Sequence, residues 1–201
     1  TINYTSIAPP NVTINSPTSG YYSTNFTVNA TVVVNGGTIN SVLYRYENSS
    51  VNGPYINMSN HVSNFWNATF NISDVGDGNY TIRISANDSF GGSNDSQTVV
   101  SVVIDTTNPT ISFAGGTETN NTYVPRNWTF VNVSAFDLSE SNITFYLFNS
   151  SLNQLNATVF TNSNRNVNFT NLADGTYYYI LNSTRANGEI IDNKSFITVI
   201  R

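Results

Sequence analysis

Cysteine is absent from this 201-residue chain, so no disulfide, thiol nucleophile or thiolate zinc site can form. Histidine occurs once, at His61 in "NMSNHVSN". One imidazole supplies neither a histidine-rich metal site nor the parts of a serine triad, and a surface position is the plain reading. Charge is scarce too: charged residues make up 9%, against roughly a quarter in ordinary soluble proteins. With seven basic residues and a net charge of -5, nucleic acid is not an expected partner. There is no 20-residue apolar run, basic amphipathic segment or signal peptide, so no direct membrane insertion is expected of this chain. The first residue is Thr1 and not Met, as in a processed or truncated product. The twelve carboxylates are scattered without the close pair that general acid–base chemistry needs. No enzymatic activity and no cofactor are expected.

The missing charge is replaced by 34 Asn, 24 Ser and 25 Thr. These side chains hydrate well but do not repel one another. The acceptor pattern for N-linked sugar, Asn-x-Ser/Thr, occurs 20 times, where this composition alone predicts about eight. The acceptors are Asn3, Asn11, Asn25, Asn29, Asn48, Asn57, Asn67, Asn71, Asn79, Asn87, Asn94, Asn120, Asn127, Asn132, Asn142, Asn149, Asn156, Asn168, Asn182 and Asn193. A plainer account covers part of the excess, because positions i and i+2 of a strand share a face and an Asn/Thr surface generates the pattern by itself. It covers less well Asn48, Asn120, Asn149 and Asn182, read as lying in or beside turns. Asn48 and Asn149 are expected at one place in two repeats, as are Asn71 and Asn168. Covalent N-linked glycan is therefore expected. Its physical role would be to cover uncharged, β-prone strand edges that charge does not protect.

The repeat is visible in "DVGDGNYTIRISANDSFGG" and, 97 residues later, "NLADGTYYYILNSTRANG". Asp77 then falls on Asp174, Gly78 on Gly175, Tyr80 on Tyr177 and Gly91 on Gly188. In "NYTIRISA", Tyr80, Ile82, Ile84 and Ala86 alternate with Asn79, Thr81, Arg83 and Ser85, the period of a half-buried strand. "INSVLYRYENSS" matches "SNITFYLFNSS", setting Val42, Tyr44 and Tyr46 inward beside Ile143, Phe145 and Leu147. Each copy offers about seven short runs with turn signals every 8 to 12 residues or so, the pattern of a Greek-key sandwich. The fold class is all-β: two tandem immunoglobulin-like Greek-key β-sandwich domains joined by a short linker, a partly closed barrel being the alternative. The boundaries are 1–8 for an extended arm, 9–106 and 107–201 for the sandwiches. Asp105 to Asn108 leaves little slack and, with Pro109, favours a semi-rigid tandem.

Several local readings follow. "VVVNGGTINSV" reads as a hairpin whose Asn-Gly supplies positive φ. Tyr80 and Tyr177, after Asp-Gly, fit a tyrosine corner, or are simply core tyrosines. Asp88 and Asp95 in "NDSFGGSND" offer oxygen donors suited to Ca²⁺, though without EF-hand spacing and equally well explained by turn chemistry; Asp137 and Glu140 form a poorer candidate. Trp128 and Phe130 fall on one alternating run and are assigned to the core. Tyr178 must face away from Tyr177 and Tyr179, under a glycan, against another sheet or in a subunit contact.

"PPNVTINSPTSG", "VNGGTINSVLYRYENSS", "LADGTYYY" and "DTTNPTISF" resemble the tandem immunoglobulin-like or fibronectin-like repeats of archaeal cell-surface proteins, of surface-layer and filament-forming types. The resemblance implies an extracellular, cell-surface location and a structural or adhesive role. "TINYTSIA" can extend about 26 Å and add itself to a sheet edge of the next subunit. Head-to-tail repetition of that contact gives an open filament. The expected partner is thus the protein itself, in a filament or lattice. The alternatives are an adhesin or carbohydrate-binding module with a cell-surface or glycan partner, and spacer modules of a larger exported protein.

Overall fold

The structure, a computed structural model, describes residues 8–200, with side chains described for 8–99 and 101–190. Of the expected arm, all but Ala8 lies outside the described residues. The chain divides into two compact units, Thr1–Thr106 and Thr107–Arg201, each an immunoglobulin-like β-sandwich.

The first unit contains β1 (Asn11–Ser16), β2 (Gly20–Tyr22), β3 (Phe26–Val33), β4 (Ile39–Glu47), β5 (Ile56–Asn57), β6 (Ser59–Val62), β7 (Phe65–Phe70), a 3-10 turn at Ile72–Asp74, β8 (Gly78–Asp88) and β9 (Ser93–Ile104). They form a sheet of order β1-β3-β7-β6 and another of order β2-β9-β8-β4-β5. The second unit contains β10 (Thr110–Phe113), β11 (Thr122–Val124), β12 (Thr129–Phe136), β13 (Glu140–Asn149), β14 (Gln154–Phe160), β15 (Asn166–Phe169), β16 (Gly175–Arg185) and β17 (Ile190–Ile200). Its sheets have orders β10-β12-β15 and β11-β17-β16-β13-β14. In both units the first strand is split: β1 and β10 pair antiparallel in one sheet, while β2 and β11 run parallel to the last strand in the other. That split, and the added strands β5, β6 and β14, raise the count above the seven runs expected per copy.

Alternation decides which face is core. Tyr80, Ile82, Ile84 and Ala86 are buried on β8, as are Val42, Tyr44 and Tyr46 on β4. Ile143, Phe145 and Leu147 take the same role on β13, facing inward with Tyr177, Tyr179 and Leu181 of β16. Each of the buried Val, Leu, Ile and Phe side chains contributes roughly 1.5–3 kcal/mol when removed from water. Phe70 closes the first core, stacked on Phe26 at 4.7 Å between centroids and edge-on to Tyr46 at 5.5 Å.

"VVVNGGTINSV" is not a hairpin. β3 pairs with β1 and β7, whereas β4 pairs with β8 and β5, so the segment crosses from one sheet to the other. Both strands bury one face, Val28, Ala30 and Val32 against Val42 and Tyr44, and two buried faces meet only across a sandwich. The positive φ falls on Gly37 (71°).

Candidate functional site

The residues with chemical potential occupy four places: the corners before β8 and β16, a buried polar position at the end of each of those strands, the Asn-rich outer faces, and one side of the second sandwich. At the corners, Tyr80 donates its hydroxyl to the Gly76 carbonyl and Tyr177 to the Ala173 carbonyl, both at 2.9 Å. The bond ties the loop back onto the strand that follows. Asp77 adds a second tie, its Oδ1 accepting from the Thr106 amide and hydroxyl at 2.8 Å each.

Asp88 and Arg185 end β8 and β16 at positions 97 apart, both buried. Asp88 Oδ1 accepts from the Phe90 and Gly92 amides at 2.9 Å each, a β-turn cap. A Cβ at Gly92 would stand 2.7 Å from Asp88 Oδ2, so a larger residue there would push the Asp88 carboxylate aside. Asp95 is exposed, and only its carbonyl is engaged, by Arg83. The two proposed calcium ligands thus face different environments. Asp137 and Glu140 are also separated in role: Asp137 is buried against Arg185 (3.4 Å) with its Oδ1 bound by the Ser139 amide and hydroxyl, whereas Glu140 accepts from Arg165 at 2.7 Å. Among the described residues no three His, Cys, Asp or Glu converge as metal ligands. His61 is exposed on β6.

The sugar-acceptor asparagines sort by geometry. Asn11, Asn25, Asn57, Asn71, Asn79, Asn87, Asn120, Asn127, Asn156 and Asn168 are exposed; Asn29, Asn48, Asn67, Asn94, Asn132, Asn142, Asn149 and Asn182 are half-buried. Asn3, and the side chain of Asn193, lie outside the described residues. Asn48 and Asn149 occupy one place in the two units, each turning Oδ1 onto two loop amides and leaving Nδ2 unused. Three others hold Nδ2 against the protein: Asn25 on Asn71 Oδ1 (3.2 Å), Asn94 on the Pro10 carbonyl (3.0 Å) and Asn132 on the Gly115 carbonyl (3.0 Å).

Two expectations about these asparagines are corrected. Asn71 and Asn168 do not share a place: buried Phe70 and Phe169 each end a strand, so Asn71 lies just past β7 and Asn168 within β15. Asn182 is not beside a turn but inside β16, since Leu181 and Ser183 continue the buried phase on either side.

Trp128 and Phe130 are also corrected. The inward phase of β12 is Thr129, Val131 and Val133, which turns Trp128 out to 38% exposure, with the Arg126 guanidinium 4.0 Å over its ring. A fully buried threonine where an aromatic was expected inverted the reading. Phe130 is half-buried over the loop at Gly116.

One side of the second sandwich is open. In the first unit the chain leaves β4 through β5, buries Met58 (its amide on the Val42 carbonyl, 2.9 Å) and adds β6 to the edge of β7. In the second unit β14 stays beside β13, and among the described residues nothing pairs with the outer edges of β14 or β15. Between them lies a groove of about 240 Å³ lined by Leu147, Leu155, Val167, Phe169 and Leu172 with Asn156 and Asn168.

Residues 10–84 match the family described as Bacterial Ig domain, and residues 64–148 match Bacterial Ig-like domain (group 3), the latter running from just before β7 in the first unit into β13 of the second. No curated protein matches the chain. Similar solved structures include the fibronectin(III)-like modules of Clostridium thermocellum CbhA, 14% identical over 95% of this chain and 94% of that one (TM-score 0.43). Others are chicken CNTN1 FN1-FN3 domains, 14% identical over 96% and 68% (TM-score 0.42), and a two-domain fibronectin type-III segment of chicken tenascin, 16% identical over 95% and 98% (TM-score 0.39).

Proposed function

We propose that the protein is a heavily N-glycosylated extracellular structural module that joins copies of itself into a surface filament or layer. Bacterial Ig-like domains are commonly extracellular or surface modules, which supports the location, and no helix among the described residues is long and apolar enough to cross a membrane. The resemblance to surface-layer and filament repeats supports the structural role.

The open side of the second sandwich carries the assembly reading. A strand in that groove would do for the second unit what Met58 and β6 do for the first, pairing the free edge of β15 and covering Leu155, which is 50% exposed. Thr1–Ala8 of a second copy is β-capable in composition, with Ile2, Tyr4, Ser6 and Ala8 on one face and Thr1, Asn3, Thr5 and Ile7 on the other. Such a contact is head-to-tail and does not close on itself, so it propagates. Deleting residues 1–8 should abolish polymers in electron micrographs of the purified protein while both units stay folded. Polymers that survive the deletion refute strand donation.

No catalytic role and no cofactor belong to this reading; Asp88 caps a turn, and Asp137 caps another and pairs with Arg185. A carbohydrate-binding surface is the second reading, favoured by Trp128, exposed with Arg126 across it. Loss of glycan retention in Trp128→Ala, with assembly intact, would support it.

A further inference from the structure

The outer faces of the two five-stranded sheets are built differently at matching positions. In the first unit, cross-strand pairs Arg45–Arg83 and Glu47–Thr81 occupy the middle of the face, with Glu47 2.8 Å from both guanidinium groups. In the second, the same pairs are Tyr146–Ile180 and Phe148–Tyr178. The fold therefore accepts charge here, and core packing does not demand the aromatics.

The apolar face is also broad. On β14 it continues through Ala157 and Val159, the latter 56% exposed. Tyr146 and Phe148 lie 6.2 Å apart at a 32° tilt, a shallow platform more than a pocket. The neighbouring positions of the same phase bring no charge: Thr144 is buried, Asn182 and Thr184 half-buried. Tyr146, Phe148, Tyr178 and Ile180 are each half-buried, and an apolar face that reaches solvent in this way is a liability in a chain with so few ionised groups.

Two sugar acceptors with described side chains, Asn142 and Asn182, stand on the same face. Asn182 pairs with Thr144 on one side and Asn193 on the other, and Asn142 pairs with Thr184. Asn182 Oδ1 is buried without a hydrogen-bond partner, and Nδ2, the atom that carries sugar, donates to none of the described residues. Ile180 and Tyr178 precede it by two and four residues, about 7 and 13 Å along the strand, a distance two linked pyranoses span. The C–H faces of a pyranose are weakly positive and suit the negative faces of aromatic rings.

The geometry points to Asn182 as an occupied acceptor whose first saccharide units lie over Tyr146, Phe148, Tyr178 and Ile180, covering the outer face of the second unit's five-stranded sheet. This rests on the glycosylation reading above. In the linking step the Asn182 side-chain nitrogen forms a bond to the anomeric carbon of a phosphate-activated sugar donor. The donor's C1–O bond to phosphate breaks, its electron pair leaves with the phosphate, and one amide proton is lost to base.

Glycopeptide mass spectrometry of the native glycoprotein, combined with Asn182→Gln, tests the assignment. Sugar on Asn182 is expected, and the N182Q glycoprotein should bind a hydrophobic dye several-fold more strongly and self-associate. Adding Tyr146→Arg, Phe148→Glu and Ile180→Arg, the first unit's residues, should reverse both effects, which a merely misfolded N182Q protein would not show. A bare Asn182 beside occupied acceptors overturns this assignment alone, whereas bare acceptors throughout overturn the glycosylation reading as well. Unchanged dye binding in N182Q overturns the covering. So does loss of native assembly when the three substitutions are made with Asn182 intact, because the face would then be a protein interface.

Discussion

Replacing Arg185 by methionine keeps most of the side-chain volume but removes the cation from a site where it is 4% exposed and Asp137 1%. Asp137 would keep only its Ser139 amide and hydroxyl partners, at 2.9 and 3.0 Å, and the Thr107 carbonyl would lose the guanidinium that now donates to it. Removing one member of a buried pair costs about 3–5 kcal/mol, because the remaining charge loses its counter-ion. Set against about 5–15 kcal/mol for a whole domain, that brings the second unit close to unfolding. At roughly 4–8 °C per kcal/mol for a domain of this size, its thermal transition should fall by about 12 °C or more. Differential scanning calorimetry of the whole chain reads this directly, with the first unit, whose matching residue is Asp88, as the internal control. Combining Arg185→Met with Asp137→Asn should restore most of the loss, since no ion is then left buried. A single variant within about 1 kcal/mol of the parent would mean that the pair is hydrated and that the buried-charge argument fails.

Tyr80→Phe and Tyr177→Phe each delete one corner bond and should destabilise their own unit by about 1 kcal/mol, measurable by urea denaturation; a difference of several kcal/mol between the two would show that the corners are not equivalent. Burial, with the nearby charges of Asp74 and Tyr46, raises the Tyr44 pKa to about 12, and burial likewise raises that of Tyr80. The folded state holds these phenolic protons more tightly than the unfolded chain. Their contribution is therefore fully present below pH 10 and lost as pH rises towards 12. Denaturant titrations should show the first unit weakening across that window, and a midpoint that stays flat to pH 12 would contradict the burial of Tyr44.

Residues whose role depends on period alone were legible in the sequence. Tyr80, Ile82, Ile84 and Ala86 alternate without interruption, and their partners on the matching strand of the repeat obey the same rule, so the buried face could be assigned before any fold was known. Trp128 failed because the rule has no sign at the start of a strand: Thr129 took the buried phase, and hydrophobicity alone favoured the indole. The Asn-Gly segment failed for a related reason. Turn chemistry reports that the chain bends, not whether the next strand pairs with its neighbour or crosses the core.

Composition and periodicity alone determined that this protein is two β-sandwiches with an Asn-, Ser- and Thr-rich exterior, because both are properties of neighbouring residues on one strand. Three things required the tertiary structure. It set Asp88 and Arg185 at matching buried positions with different partners, left the edge of β15 open where β6 closes the first unit, and gathered Tyr146, Phe148, Tyr178 and Ile180 beside Asn182. Each depends on which strands lie side by side, and strand order arises from contacts between residues far apart in the chain, which no local pattern encodes.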